Sequence, residues 1–489
     1  MTQPLATVHL ELNAPPDDSV DAKDIRTSLS AVIQAGRHLW LGSDETATLE
    51  RLTDLGGGRW GDHRTFKLAD VLDLPGDEDG EVDVEGLAWD PPYLWICGSH
   101  GRKRDKPDPD EDDIETFAEC LADVDLEENR YLLARIPLEE DAEHGGLTPR
   151  RSCPDPRDPS VTLTAARLKG RGADSGLLRA LRKDPHLRKF LKLPGKDNGF
   201  DVEGLSAAGG RLFLGLRGPV LRGWAVVLEL LPEEAKKPGR LKLARIGPEG
   251  RRYRKHFLDL DGLGVRELSH AGNDMLVLAG PTMDVHAPAA VFFWRGAVAA
   301  EDDSVVAGKT LRRVMELPHD VEGPGDHPEG MCRFEAQGLD GDGLLVVYDS
   351  PARRRQARGG LRADVFPLPH ADWGEDNAGR QNNGETRTEG GRGPRGAGLL
   401  GTVVTALAEA VIVGGLQQRR PSEGGGSRVD PDDRPPPRKV DDPREDDASA
   451  DQPADAMRED GEGQDAPGGE DGRSADEGRQ RENREEGQG

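Results

Sequence analysis

The chain has 489 residues, of which 35% are hydrophobic, 32% charged and 4% aromatic, with a formal net charge of -27. That length accommodates a few ordinary domains or one large domain with a tail, and that composition buries a core along only part of the chain. The charge argues against a nucleic-acid partner, because a polyanion is repelled unless a local basic face outweighs the net field.

The start, MTQPLATVHLELN, has no basic segment followed by an apolar one. No signal peptide is expected, and the cytoplasm is the default compartment. The alternation in VHLELN predicts a strand. It matches strands that precede the later repeats, so it is expected to complete the last repeat and close a ring.

Four segments then share one pattern: SAVIQAGRHLWLG from Ser30, EGLAWDPPYLWICG from Glu85, EGLSAAGGRLFLG from Glu203 and ELSHAGNDMLVLAG from Glu267. In each, the first residue lies nine positions before the first Leu of the apolar run. A looser fifth copy starts at Glu329 and resumes over Gly343–Ser350. Glu335 satisfies the spacing too, but the Glu-Gly pair favours Glu329. Alternating stretches ending in Leu-Pro or Leu-Asp precede most copies, up to Gly76, Gly195, Gly262 and His319. RYLLARIPL and WAVVLELL read as further strands.

Short strands recurring about every 60 residues point to an all-β fold, a β-propeller, with five visible blades. The gap from Glu85 to Glu203 is about twice that period. It holds either a degenerate sixth blade or a helical insertion, since DIETFAECLADV and GLLRALRKDPHLRKFL have helical periodicity. A β-sandwich or a two-domain chain accounts less well for the matched copies. Cys97, Cys120, Cys153 and Cys332 are far apart with no CxxC pair, which reads as reduced thiols rather than a zinc knuckle or a disulfide framework.

Composition changes after Pro369. Residues 1–369 are read as the propeller, 370–397 as a low-complexity linker, 398–416 as an apolar segment and 417–489 as a disordered acidic tail. The last part holds 22 Asp+Glu, 12 Lys+Arg and no aromatic residue, too little apolar area to offset its ordering entropy. The apolar run GLLGTVVTALAEAVIVGGL is short for a membrane span and carries Glu409. It reads as a docking helix. Arg392, Arg395, Arg419 and Arg420 flank it and keep a membrane association open.

The strings DVEGLAWDPPYLWICGSHGRKR, LPGKDNGFDVEGLSAAGGRLFLGLRGPVLRGWAVVLEL, LGVRELS, LAGPTMD and LLVVYDSP resemble the bacterial domain-of-unknown-function 3616 family over roughly Ile25 to Phe366. The resemblance implies a propeller-like fold and no established activity. More loosely, the EG-hydrophobic start of an inner strand is similar to metal-dependent lactonase propellers.

If each EGL opens an innermost strand and each LWxxG run is its antiparallel neighbour, the repeat positions meet at one face around a central channel. Glu85, Glu203, Glu267 and Glu329 are then candidate ligands for a hard cation such as Ca²⁺ or Mg²⁺. Two residues after the repeat glycine come Asp44, His100, Arg217 and Thr282, with Asp349 from the looser copy and Arg102, Lys103 and Arg104 nearby. Asp44, His100, Arg102, Arg217 and Asp349 are the candidate ligand-binding set, arginine and histidine being suited to an anionic group. Taken singly, each Glu is slightly better explained by a backbone hydrogen bond or a neighbouring Arg, whereas the set of four slightly favours a site. The segment Pro318–Gly330 adds His319, Asp320, Glu322, Asp326 and His327, which read as a solvated Pro/Gly loop before they read as ligands.

There is no GxSxG, P-loop or HExxH motif. GRKR and ARRRQAR are short and do not indicate a nucleic-acid partner. The chain therefore reads as a ligand-binding or scaffold propeller with an acidic-plus-basic site, its ligand a small molecule or a protein. The alternative is a metal-dependent hydrolase of an anionic ester or lactone.

Overall fold

Each repeat begins with an antiparallel hairpin. Leu29–Ala35 pairs with His38–Ser43, Val84–Asp90 with Tyr93–Gly98, Asp201–Ala208 with Arg211–Gly218, Gly264–Ala271 with Asp274–Gly280, and His327–Phe334 with Gly343–Asp349. The third hairpin turns through Gly209 and Gly210 at φ 60 and 75, the left-handed pair that a two-residue turn between twisted strands requires. This computed structural model describes residues 1–13, 25–110, 112–143, 145–283, 288–318, 326–335, 342–357 and 359–369. The stretches 370–397, 398–416 and 417–489, and the loop residues His319, Asp320 and Glu322, lie outside the described residues.

Every hairpin continues outwards as a meander. The first sheet adds Thr48–Gly56 and Arg59–Lys67, the second Leu133–Asp141 and Ala166–Leu168, and the third Trp224–Leu230 and Arg254–Asp259. The fourth adds Ala290–Trp294 and Leu311–Glu316. The fifth adds Gly360–Pro367 and then Ala6–Glu11, paired antiparallel from Ala6↔Val365 to Glu11↔Gly360. The amino-terminal strand is thus the outer strand of the last meander. It also touches the first sheet, through His9↔Arg59 and Leu10↔Trp60.

The inner strands contact one another in cyclic order, first to second through to fifth and back to first. A hydrophobic cluster fills each gap. Trp40 and Leu49 meet Leu87 and Ile136, Leu133 meets Leu205 and Val226, and Phe213 meets Val265 and Phe292. Leu276 and Val291 meet Met331 and Val346, while Cys332 and Leu345 meet Val32 and Leu41. Period two explains how one strand serves two gaps. Met275, Val277 and Ala279 face the third sheet, and Leu276 and Leu278 face the fifth. Strands buried on both faces read as near-continuous apolar runs, which is why LWLG, LWICG and LFLGL stand out in the sequence. The result is a mostly-β, propeller-like arrangement.

Two expected strands are absent. FKLADVLDLPG leaves its strand at Lys67 and makes one helical turn, Leu68–Val71, that buries Leu68. KFLKLPG lies in consecutive turns. Among the described residues between the second and third inner hairpins there is no further inner hairpin. That stretch extends the second sheet and forms the helices Ile114–Ala122 and Gly176–Leu181. Asp113 caps the first by accepting the Thr116 N–H, and Ser175 caps the second by accepting the Leu178 N–H. The second helix ends well before the periodicity does. Pro185 cannot continue it, and Asp184 diverts its carboxylate to the His186 and Leu187 N–H groups. Among the described residues no helix is long and apolar enough to cross a membrane.

Leu10 is fully buried between the fifth and first sheets, whereas Leu5 is 62% exposed. Leu10→Ala is expected to lower unfolding free energy by about 2–5 kcal/mol. Leu5→Ala should change it by less than about 0.5 kcal/mol. Denaturant titration of both variants measures the difference.

Candidate functional site

All five inner strands carry a β-bulge at the same place. Register slips between Leu29 and Ala31, Val84 and Gly86, Val202 and Gly204, Val265 and Glu267, and Pro328 and Met331. The residues set out of the ladder are Ser30, Glu85, Glu203, Arg266 and, beside Gly330, Glu329. A bulge bends the strand and re-aims its side chain. Here it aims one residue of each strand at its neighbours. Ser30 Oγ donates to the Val84 carbonyl, and Arg266 reaches carboxylates of both adjoining strands.

This register corrects the fourth copy. Met275 pairs with His270 as Leu94 pairs with Trp89 and Leu212 with Ala207. The apolar run of that copy therefore starts at Met275, and nine positions earlier stands Arg266, not Glu267. Glu267 occupies the place of Gly86 and Gly204 and is 1% exposed. Its Oε1 accepts the N–H groups of Leu205 at 3.0 Å and Leu268 at 2.8 Å. Burial lifts its carboxyl well above the usual range, and it stands in the wall of the ring.

Arg266 is the hub of the row. One Nη bonds Glu329 and lies 3.3 Å from Glu203, and the other donates to the Pro281 carbonyl at 3.0 Å. Arg217 donates to Glu203 at 2.8 Å, lies 4.0 Å from Asp201 and donates to the Thr282 carbonyl at 3.0 Å. Arg130 lies 2.7 Å from Asp83 and 3.4 Å from Glu81. Asp83 and Asp201 are acids that sequence reasoning missed. Their signal was present, because DVEG occurs at both positions and places Asp two residues before Glu, on the same strand face.

Beside these lie further acids with raised pKa values, of which Glu329 and Asp201 are reached by Arg266 and Arg217. Burial, then Asp83 and Glu203, raises Glu85 well above the carboxylate range. Asp44 is pushed up to about 8 by burial and by the charges of Asp83 and Asp349. Burial also raises Glu329 and Asp349, with Asp349 acting on Glu329. Asp201 is lifted to about 7 by burial, against the opposing pull of Arg217 and Arg130. Asp44 Oδ1 is buried without a hydrogen-bond partner. Neither Asp44 nor Glu85 has an ion-pair partner among the described residues. Lys196 is exposed on the turn Gly195–Asp197, and its charge acts on Asp44, Asp83 and Asp349. That turn rests on Asp201, where a Cβ at Gly195 would collide with the carboxylate.

Two candidates do not join the cluster. In the return strands Asp44 is matched by Ser99 and Arg217, one residue before His100 in the second sheet. His100 is 1% exposed, its Nδ1 is 2.9 Å from the Gly98 carbonyl and its ring packs on Tyr131. Burial lowers it to about 4, so it is neutral. Arg102 is half-buried, and its carbonyl accepts the Gly195 N–H at 3.0 Å. It shapes the turn that carries Lys196. Asp326 is taken up by Arg354, by Arg355 at 2.8 Å and by the Ala352 N–H at 2.9 Å. Among the described residues no three His, Cys, Asp or Glu side chains are grouped so as to hold a metal ion.

A family model for proteins of unknown function, DUF3616, matches residues 28–364. The chain belongs to this family. No curated protein matches it. Solved structures similar to this DUF3616 chain include a protein of unknown function from Dyadobacter fermentans, 10% identical, covering 75% of this chain and 83% of that one at a TM-score of 0.31. The periplasmic gluconolactonase PpgL of Pseudomonas aeruginosa is 14% identical, with 70% of each chain covered and a TM-score of 0.24. YCF48 bound to D1 peptide is 11% identical, with 70% of this chain and 66% of that one covered and a TM-score of 0.25.

Removing Arg266 leaves Glu203 and Glu329 facing each other. Arg266→Met in this DUF3616 chain is expected to cost about 3–5 kcal/mol near neutral pH. The loss should shrink in acid, where Glu329 holds a proton. Denaturation at pH 8 and pH 5 measures both.

The raised carboxyls set a pH slope. A carboxyl whose folded pKa exceeds its unfolded value binds more protons when folded, so stability falls as pH rises between the two. For Asp44 that window runs from 3.8 to about 8. Asp44→Asn should flatten the decline and raise stability near pH 8 by about 1–3 kcal/mol. Melting curves from pH 4 to pH 9 test it; an unchanged slope contradicts the assignment.

Proposed function

We propose that this chain is a five-bladed, ligand-binding propeller whose site is the acidic mouth of the ring and whose ligand presents a cationic group. One observation carries this reading. Asp44 and Glu85 are half-buried and unpaired with raised pKa values, while Arg130, Arg217 and Arg266 are each engaged by carboxylates. A cation entering the mouth replaces the proton that these acids otherwise hold. Of the four candidate metal ligands, Glu85 and Glu329 border the mouth with Asp44 and Asp349. Glu329 and Glu203 are both held by Arg266, and Glu267 Oε1 accepts two backbone N–H groups, so of the four Glu85 alone lacks a partner among the described residues.

A hydrolase acting on an anionic ester would need a free cation beside the reacting group. Arg217 and Arg266 are each bound to Glu203 and to a backbone carbonyl, so ligand binding comes first.

Calorimetric titration with Ca²⁺, Mg²⁺ and an alkylammonium salt at pH 8.5 and pH 5.5 tests the reading. Saturable binding is expected at pH 8.5, weaker by about tenfold or more at pH 5.5, where Asp44 is protonated. Glu85→Gln should weaken it similarly, whereas Glu267→Gln, at a side chain whose Oε1 is engaged by the Leu205 and Leu268 N–H groups, should leave it within about twofold. Absence of binding by every cation at pH 8.5 refutes the proposal.

A further inference from the structure

The turns from Arg182 to Lys196 form a surface that the acidic mouth does not explain. Six cations in this stretch are exposed: Arg182, Lys183, Arg188, Lys189, Lys192 and Lys196. Arg182 pairs with Asp174. Among the described residues the other five have no carboxylate partner. The single acid of the stretch, Asp184, is 2% exposed. Its Oδ2 accepts the Tyr253 hydroxyl at 2.6 Å and Lys255 Nζ at 2.7 Å, so its charge is spent inside the fold. Beyond Asp174, no carboxylate among the described residues pairs with the cations on the outer face.

The surface is also held in place. Leu177, Leu178, Leu181 and Leu187 are buried in the core between the second and third sheets. Turn hydrogen bonds run from Arg188 N to Asp184 O, Phe190 N to Leu187 O and Leu193 N to Phe190 O, and Gly195 N is tied to Arg102 O. The backbone that carries the cations is therefore set before any partner arrives, which lowers the entropy cost of binding. Among them Leu193 is 42% exposed. Clustered like charges repel, and in a chain of net charge -27 such a face stands out from an otherwise acidic molecule.

We propose that the face formed by Arg182–Lys196 is a docking surface for a short acidic segment of a partner protein that sets an apolar side chain against Leu193. Charge complementarity selects an anionic partner, and the exposed leucine selects one with apolar character. A nucleic acid fits less well. It extends past fifteen residues of surface onto a body whose net field repels it, and it offers no aliphatic group to Leu193. This inference is independent of the ligand assigned to the ring.

The test uses the full chain and a fluorescent oligoglutamate peptide with one central leucine, followed by anisotropy. Saturable binding is expected, weakening by about tenfold between low and physiological salt. Lys183→Glu/Lys189→Glu/Lys192→Glu should melt like the parent, since these side chains are exposed, and should lose about tenfold or more in affinity. Leu193→Ser should lose about threefold or more. Lys309→Glu, an exposed cation elsewhere, should leave affinity within about twofold. Three results overturn the proposal: no peptide binding at low salt, equal binding by the triple variant, or tighter binding of a single-stranded oligonucleotide of matched charge.

Discussion

Strands that enter a ring from one end bring their first side chains together, whatever those side chains are. In this chain three of the five bulged positions are glutamates, and aspartates stand two residues before two of them. Mutual repulsion in a partly desolvated space would oppose the very packing that buries Leu87, Leu205 and Met331 one turn of the strand further in. Arg266 relieves that conflict from within the row, by replacing one glutamate and joining the two on either side. Arg217 and Arg130 extend the compensation outwards to Asp201 and Asp83. The buried guanidiniums are thus conditions of ring closure as much as features of a site.

Compensation stops short of completeness. Among the described residues Asp44 and Glu85 are left half-buried with no ion-pair partner, and the fold tolerates them by favouring their protonated forms at pH values where free carboxyls are ionised. Sites that bind ligands often retain such costs, because full internal pairing would leave a ligand nothing to replace. Glu267 shows the contrast. It is more deeply buried, but two backbone N–H groups satisfy one of its oxygens.

The insertion between the second and third hairpins separates two tasks. Its leucines thicken the core between neighbouring sheets, and Asp184 is neutralised from beneath by Lys255. What remains outside is a row of cations ending at Lys196, which overlooks Asp44, Asp83 and Asp349.

Much of this was legible in the residues alone. Alternation, tight turns and the recurring Glu-Gly-apolar pattern determined the β architecture, the inner hairpins and the strand VHLELN that pairs with the last meander. The acidic character of one face followed from the same repeats. Tertiary structure alone decided which side chains occupy that face. A slip of one residue sends a strand's side chains to the opposite side, and spacing counted from Leu276 instead of Met275 hid Arg266 behind Glu267. The same one-residue error put His100 where Ser99 stands. Nothing in a linear pattern marks a bulge, because it arises from how a strand bends against its neighbours in the closed ring. For that reason the sequence announced converging acids, and only the folded chain disclosed the arginine that lets them converge.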